Sequence, residues 1–371
     1  MTRRLLLSCS LILISIESFA QAPLPLSPEV HSDNRATFRL RAPNAKEMAL
    51  RLEGFPKPLP MEKDDQGLWR VTTDPLAPDY YGYFFMADGV SLLDPSNHVI
   101  KPSLLYPASV LHIPGPASLP WEQADVPRGQ IHQHFYRSAV VGDDRNFFVY
   151  TPPGYDPRGK KTYPVLYLLH GFSDDASAWT SVGRANVIFD NLIAWRKVVP
   201  MLVVMPLGYG APEVLVPHEG TPRDPALTKK NHDKFRQALL TEVLPRVEAA
   251  YLVTKDRNSR AIAGLSMGGA ESLVTGLNSL DLFAWIGAFS SGGFSDDFEK
   301  DFPALGGESA PRPRLLWVAC GTDDRLIEIN RRLDAWLTSK SVAHTDVETP
   351  GYHTWMVWRR NLAEFAPLLF R

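Results

Sequence analysis

The chain has 371 residues, 44% of them hydrophobic and 11% aromatic, with 39 basic and 41 acidic side chains and a net charge of -2. That length buries a large core with room for two domains of ordinary size, and the composition excludes a disordered or fibrous chain. Neither sign of charge forms a long run, so the chain shows no electrostatic footprint for nucleic acid or anionic lipid, and a neutral or weakly charged substrate is expected.

Residues 1–20 carry the three parts of a secretory signal peptide: Arg3 and Arg4, a mostly apolar stretch from Leu5 to Ile14, and the small-residue pattern Ser18-Phe19-Ala20. Cleavage after Ala20 is expected, which directs the chain to the periplasm or outside the cell. Leu6-Leu7-Ser8-Cys9 is a poor lipoprotein box because almost no apolar stretch precedes it. Thr2-Arg3-Arg4 is a poor twin-Arg signal because the charged region is so short. No later segment reaches about 18 uninterrupted apolar residues, so no membrane anchor is expected.

From residue 21 to about Ile113 the pattern is that of short strands cut by turn residues. Ala36 to Arg41 and Met48 to Leu52 alternate with period two, Tyr80 to Phe85 adds an aromatic strand, and Gly54, Asp64 to Gly67, Ala87 to Gly89 and Asp94 to Asn97 supply turns. This predicts an all-β, immunoglobulin-like sandwich domain over 21–113. Pro114, Gly115, Pro116, Pro120 and Pro127 then mark a linker over 114–136.

Over 137–371 the rhythm changes to strands alternating with helices. Phe147 to Thr151, Val165 to Leu169, Leu202 to Met205, Ala261 to Leu265, Trp285 to Phe289 and Leu315 to Ala319 are apolar runs of strand length. Helices are expected over Arg184 to Arg196, Phe235 to Leu244, Gly268 to Gly276, Leu326 to Leu337 and Trp355 to Leu369, with Pro245 dividing two of them. Such alternation gives an α/β fold with a mainly parallel central sheet flanked by helices, as in the α/β-hydrolases.

The chemistry centres on Gly264-Leu265-Ser266-Met267-Gly268, a G-x-S-x-G motif between an apolar strand and a helix. There the Ser sits on a sharp strained turn, and the glycines remove side chains that would hold strand and helix apart. A Ser hydroxyl needs a base, and in this arrangement the acid and then the His follow in the chain. His353, in the turn Pro350-Gly351-Tyr352-His353, is the expected base; His344, at the start of a strand, reads as a surface residue. Asp323 and Asp324 follow the last apolar strand, and spacing does not choose between them as the acid; the other would cap the helix near Leu326.

Backbone N–H groups of Met267 and of Phe172 or Gly171, in Leu168-Leu169-His170-Gly171-Phe172, are the expected oxyanion hole, with His170 structural. Trp179, Tyr209 and Trp355, on loops at the same end of the sheet, are candidates for the substrate-binding wall. The Gly- and Pro-rich segment Gly208 to Asp224 is long enough for a lid or substrate loop. Cys320 is unpaired once Cys9 leaves with the leader, and it lies in an apolar run that suits inert packing. Were the chain extended there, His132-Gln133-His134 would put two imidazoles on one face, but no acidic or third His neighbour lies nearby, so no metal site and no cofactor is expected.

These motifs resemble the esterase D family, in particular the feruloyl esterases of carbohydrate esterase family 1. The likeness runs through Tyr163 to Gly171, the Ser266 turn, Phe283 to Ser291, Cys320-Gly321-Thr322-Asp323-Asp324, and His353 with Trp355 and Trp358. It implies that Asp324, the second residue after Cys-Gly-Thr, is the acid. It also implies a serine carboxylic-ester hydrolase acting on acylated plant cell-wall carbohydrate such as arabinoxylan. Acetyl-xylan or enterochelin-like siderophore ester hydrolysis and acyl transfer are the alternatives, while an idle triad in a glycan-binding scaffold fits poorly. The front sandwich resembles early-set domains related to family 48 carbohydrate-binding modules, through Arg41-Ala42-Pro43 and Leu93 to Asn97.

Overall fold

The structure, a computed structural model, describes residues 24–216, 224–295, 297–306 and 311–371. The expected leader over 1–20 and residues 217–223 of the expected lid segment lie outside the described residues.

The second part of the chain is built on an eight-stranded sheet: β1 (Gln130–Arg137), β2 (Asp144–Thr151), β3 (Val165–Leu169), β4 (Leu202–Pro206), β5 (Arg260–Leu265), β6 (Trp285–Phe289), β7 (Leu315–Gly321) and β8 (Thr345–Thr349). The spatial order is β1-β2-β4-β3-β5-β6-β7-β8. The first two pairings are antiparallel and the other five parallel, so this is a mixed sheet in an α/β fold. The parallel strands are apolar throughout because both their faces are covered. On one face Leu166, Leu168, Ala263 and Leu265 pack with Ile188 and Phe189 of the helix Ala185–Ala194 and with Leu362 and Phe365 of the helix Trp355–Phe365. On the other, Val165, Tyr167, Leu169 and Ile262 pack with Phe235, Leu273 and Leu333 from three further helices.

Register then decides where the loops meet. Leu169 lies beside Gly264, Leu265 beside Phe289, Phe289 beside Ala319 and Gly321 beside Thr349. The carboxyl ends of β3, β5, β6, β7 and β8 therefore form one rim, and the segments that follow them converge although they lie far apart in the chain.

The N-terminal region is β-rich. A four-stranded sheet contains Ala36–Arg41 and Leu68–Thr72, and a six-stranded sheet contains Met48–Leu52, Asp79–Ala87 and Ala108–Ile113; every pairing is antiparallel. Phe38, Leu40 and Trp69 from the first sheet and Leu50, Tyr83, Phe85 and Leu111 from the second share one core.

Three readings of the sequence need correction. The segment read as a linker ends in strand β1, whose inward residues are His132, His134 and Tyr136 rather than aliphatics, with Phe135 outward and 75% exposed. His134 stacks on Phe147 at 4.7 Å and pairs with the Tyr251 hydroxyl at 2.6 Å, while His132 faces Thr151. The helix expected from Phe235 begins earlier, at Pro225, where the Asp224 carboxylate accepts from the Ala226 N–H. It does not break before Pro245 but widens into a π turn over Leu239–Val243, which accommodates the missing proline N–H.

A fully buried ion pair joins the two regions. Arg359, on the helix that follows His353, donates through Nε and Nη2 to Asp79 Oδ1 at 3.0 and 2.6 Å, and through Nη1 to the Val182 carbonyl at 2.6 Å. Both side chains of the pair are 0% exposed. Removing Arg359 leaves the buried Asp79 carboxylate with the longer contact to Arg360, at 3.7 Å, as its remaining ion pair, so Arg359→Met is expected to cost about 3–5 kcal/mol of unfolding free energy. Urea titration should show that loss, and much of it returning in Arg359→Met combined with Asp79→Leu.

Candidate active site

The β5 strand ends at Leu265, and Ser266 turns the chain into the helix Met267–Leu277 with φ 53° and ψ −114°. A non-glycine residue with that backbone is strained and persists only where its surroundings hold it. Ser266 N–H donates to the Phe289 carbonyl at 2.8 Å, and the Ser266 carbonyl accepts from Ala270 N–H at 3.1 Å. The flanking glycines are steric necessities. A Cβ at Gly264 would lie 2.4 Å from the Gly268 carbonyl oxygen, and one at Gly268 would lie 2.4 Å from that of His170.

His353 Nε2 stands 3.0 Å from Ser266 Oγ, and its Nδ1 stands 2.7 Å from Asp324 Oδ2. The other Asp324 oxygen accepts from the Leu326 N–H at 2.9 Å. One carboxylate thus both orients the imidazole and caps the turn before the helix Ile327–Ser339, two tasks that the sequence suggests dividing between neighbours. Asp323 is exposed and accepts from the Thr322 hydroxyl. Burial pushes the Asp324 carboxyl up, but the hydrogen bond and charge of His353 and the Leu326 N–H outweigh it and hold the group below the usual carboxylate range. The imidazole packs edge-on against Trp358, with ring centroids 4.9 Å apart.

Ser266 and His353 open onto a cavity of about 370 Å³ that Gly171, Phe172, Met267 and Trp355 also line. A Cβ built on Gly171 would sit 3.3 Å from Ser266 Cβ, so the backbone here passes directly beside the hydroxyl. The expected oxyanion residues and Trp355 therefore share the Ser266 cavity. Trp179 and Tyr209 do not line it. Trp179 lies behind Trp355 and donates to the Leu169 carbonyl, and Tyr209 is buried with its hydroxyl bonded to the Asp174 carbonyl. Both are packing groups that stiffen the rim.

His170 is buried; its Nε2 accepts from the Gly208 N–H at 2.9 Å and its Nδ1 lies 2.8 Å from the Gly171 carbonyl. Burial lowers its pKa to about 4, so it is a neutral strut. His344 is not a free surface group: Asp334 lies 2.6 Å from its Nε2. Cys320 is buried and its thiol is pushed up to about 12, chiefly by burial, which leaves it unreactive.

The sequence reading missed the contribution of the N-terminal region. Glu53, at the end of the strand Met48–Leu52, lines the cavity; its Oε1 accepts from the Trp355 N–H at 2.7 Å and its Oε2 from the Gly82 N–H at 2.8 Å. Trp355 begins the helix that follows His353, and Thr354 gives it no side-chain cap, so a carboxylate 302 residues away in the chain serves as its anionic cap. On the other side Ser173, at φ 73°, accepts at its carbonyl from Ser103 Oγ and Leu104 N–H, both at 2.7 Å. Lys101 pairs with the buried Asp174 at 2.9 Å. No local motif marks these residues, since each acts through a partner distant in sequence.

A hydroxyl, an imidazole and a buried carboxylate bonded in series beside backbone N–H groups can perform acyl transfer through a covalent intermediate. The family described as "Putative esterase" matches residues 138–369, and the chain belongs to it. It is a serine-type carboxylic ester hydrolase.

Among its relatives, the endo-1,4-beta-xylanase/feruloyl esterase of Xylanibacter ruminicola is 30% identical over 349 residues, covering 93% of this chain and 46% of that protein. The chain thus spans about half the length of that relative. A ferulic acid esterase from Anaeromyces mucronatus superposes with a TM-score of 0.59 at 25% identity, over 69% of this chain and 96% of that one. The enterochelin esterase of Shigella flexneri gives a TM-score of 0.69 at 17% identity, over 93% and 95% of the two chains, a likeness of fold alone.

Two outcomes test the contacts from the N-terminal region. Glu53→Ala uncaps the helix beside His353 and is expected to lower kcat on a small ester by about tenfold or more while KM changes little, as steady-state kinetics would show. Asp174 is the pH probe. Burial lifts its pKa from 3.8 to about 6 against the pull of Lys101. The folded chain therefore holds a proton that the unfolded chain has lost between those values, and this group makes stability fall as pH rises through that window. Asp174→Asn should remove that slope from the melting temperature measured between pH 4 and 6.

Proposed function

We propose that the chain hydrolyses hydroxycinnamate esters, ferulate first, on plant cell-wall carbohydrate such as arabinoxylan, through an acyl-enzyme on Ser266. The observation that carries this reading is the unbroken series Asp324, His353, Ser266 at 2.7 and 3.0 Å, at the mouth of a cavity of about 370 Å³. A chamber of that size accepts an aryl-acyl group. The feruloyl esterase from Xylanibacter and the ferulic acid esterase from Anaeromyces support the choice of acyl group.

Ser266 Oγ bonds to the ester carbonyl carbon as His353 Nε2 takes its proton, and the carbonyl electron pair moves onto oxygen beside the Met267, Phe172 and Gly171 backbone. Collapse of this adduct breaks the bond to the alcohol, whose oxygen takes the proton from His353. Water, deprotonated by the same nitrogen, then attacks the acyl carbon and releases the acid and Ser266. Asp324 stays ionised, holds the Nδ1–H tautomer and stabilises the imidazolium. We read residues 21–113 as an immunoglobulin-like early-set module, and the catalytic part as beginning with β1 rather than at Arg137.

The test compares methyl ferulate with p-nitrophenyl acetate in the protein and in Ser266→Ala. Turnover of methyl ferulate, with kcat reduced about 10⁴-fold or more in the variant, is the expected result. Cleavage of the acetate alone overturns the hydroxycinnamate assignment and brings forward acetyl-xylan or siderophore esters. Undiminished turnover in Ser266→Ala overturns the nucleophile.

A further inference from the structure

A second hollow of about 430 Å³ opens beside the catalytic cavity and shares Glu53, Lys101, Arg325 and His353 with it. One wall is the outer face of the six-stranded N-terminal sheet. Leu50, Leu52, Tyr83 and Phe85 point into that region's core, so the alternating residues Arg51, Glu53, Gly82 and Phe84 face the hollow. Gly82 and Ala108 keep the centre of the wall low, with the Glu53 carboxylate beside Gly82, and Phe55, Phe84 and Tyr106 also line the hollow. The opposite wall is the turn that carries the base, with Tyr352, His353 and Thr354. Tyr106 is 65% exposed and Tyr352 is 40% exposed.

We propose that this groove binds the alcohol half of the ester, a sugar residue, with Phe84 and Tyr106 as its stacking surfaces. The proposal rests on the acyl-sugar reading given above and adds where the sugar sits. Its first ground is the direction of proton transfer. The departing oxygen must lie within hydrogen-bond reach of His353 Nε2 to receive the proton. The alcohol therefore leaves on the His353 side, while the acyl chain occupies the chamber beside Phe172 and Met267. The groove is the continuation of the site that contains His353 without Ser266, Gly171 or Met267.

The second ground is its chemistry. The aromatic faces suit the C–H face of a neutral ring, and two of the three cations that line the groove already have partners. Lys101 pairs with Asp174 and Arg51 donates to the Pro56 carbonyl, which leaves Arg325 as a single cation on the rim it lines with Asp323. An anionic alcohol finds no cluster of uncommitted charge here, whereas hydroxyl groups find charged hydrogen-bond partners at the edge.

The experiment uses the full chain, Phe84→Ala and Tyr106→Ala, with two esters of the same acid: methyl ferulate and a feruloylated arabinoxylo-oligosaccharide. Each variant should raise KM for the sugar ester about five- to tenfold, the cost of truncating an aromatic anchor, and leave the methyl ester unchanged. Equal losses on both esters, or none on either, overturn the proposal. If the protein ignores ferulate, the feruloyl reading fails by itself. The same ratio is then taken with methyl acetate and an acetylated xylo-oligosaccharide, where a selective loss supports the groove and an unchanged ratio overturns it. No turnover of any of the four esters overturns both.

Discussion

The buried pair of Arg359 and Asp79 is the constraint on which the site depends. A guanidinium with no exposure needs its donors satisfied, and here they are taken by a carboxylate of the N-terminal sheet and by backbone carbonyls of both regions. The pair fixes the helix that begins two residues after His353 against the strand Asp79–Ala87. With that helix fixed, Glu53 reaches its first N–H and the groove wall stands opposite His353. Packing between the two regions is therefore an element of the site rather than an attachment to it.

Within the α/β part, a strained backbone and a rigid sheet oppose each other. The left-handed turn at Ser266 is intrinsically unfavourable, yet β6 holds the Ser266 N–H, the following helix holds its carbonyl, and two glycines let β3 and the helix close on it. The loop after β3 is restrained in a similar way, by Tyr209 from one side and by Ser103 and Leu104 from the other. Preorganised donors contribute more to a developing oxyanion than mobile ones do, because they need not reorient as charge forms.

The central strands were legible because they are apolar on both faces and have no other solution; Val165–Leu169 and Trp285–Phe289 have the ends expected of them. Ser266 and His353 were legible because turn chemistry and chain order specify them. Asp324 was not separable from Asp323 by spacing, since the difference lies in which carboxylate is buried. Strand β1 was hidden because its inward face uses imidazole and phenol groups that balance stacking against hydrogen bonding, without the aliphatic pattern of a core strand. Trp179 and Tyr209 show the converse limit: an aromatic residue near the rim has the same appearance in sequence whether it faces the substrate or braces the wall that does. Glu53 and Lys101 act only through partners that tertiary structure supplies, so no window of sequence contains their role.

The carboxylate of Glu53 accepts from a helix terminus on one side and from a sheet strand on the other, so it bridges the seam between the two regions. Cooperative units of a protein open with different free energies. Opening along this seam alone would release the helix beside His353 and the loop beside Ser266 together, while the eight-stranded sheet kept its hydrogen bonds. Durability on heating is then a property of the seam: the temperature at which turnover stops can fall short of the temperature at which the sheet melts, and reinforcing the sheet would not close that gap.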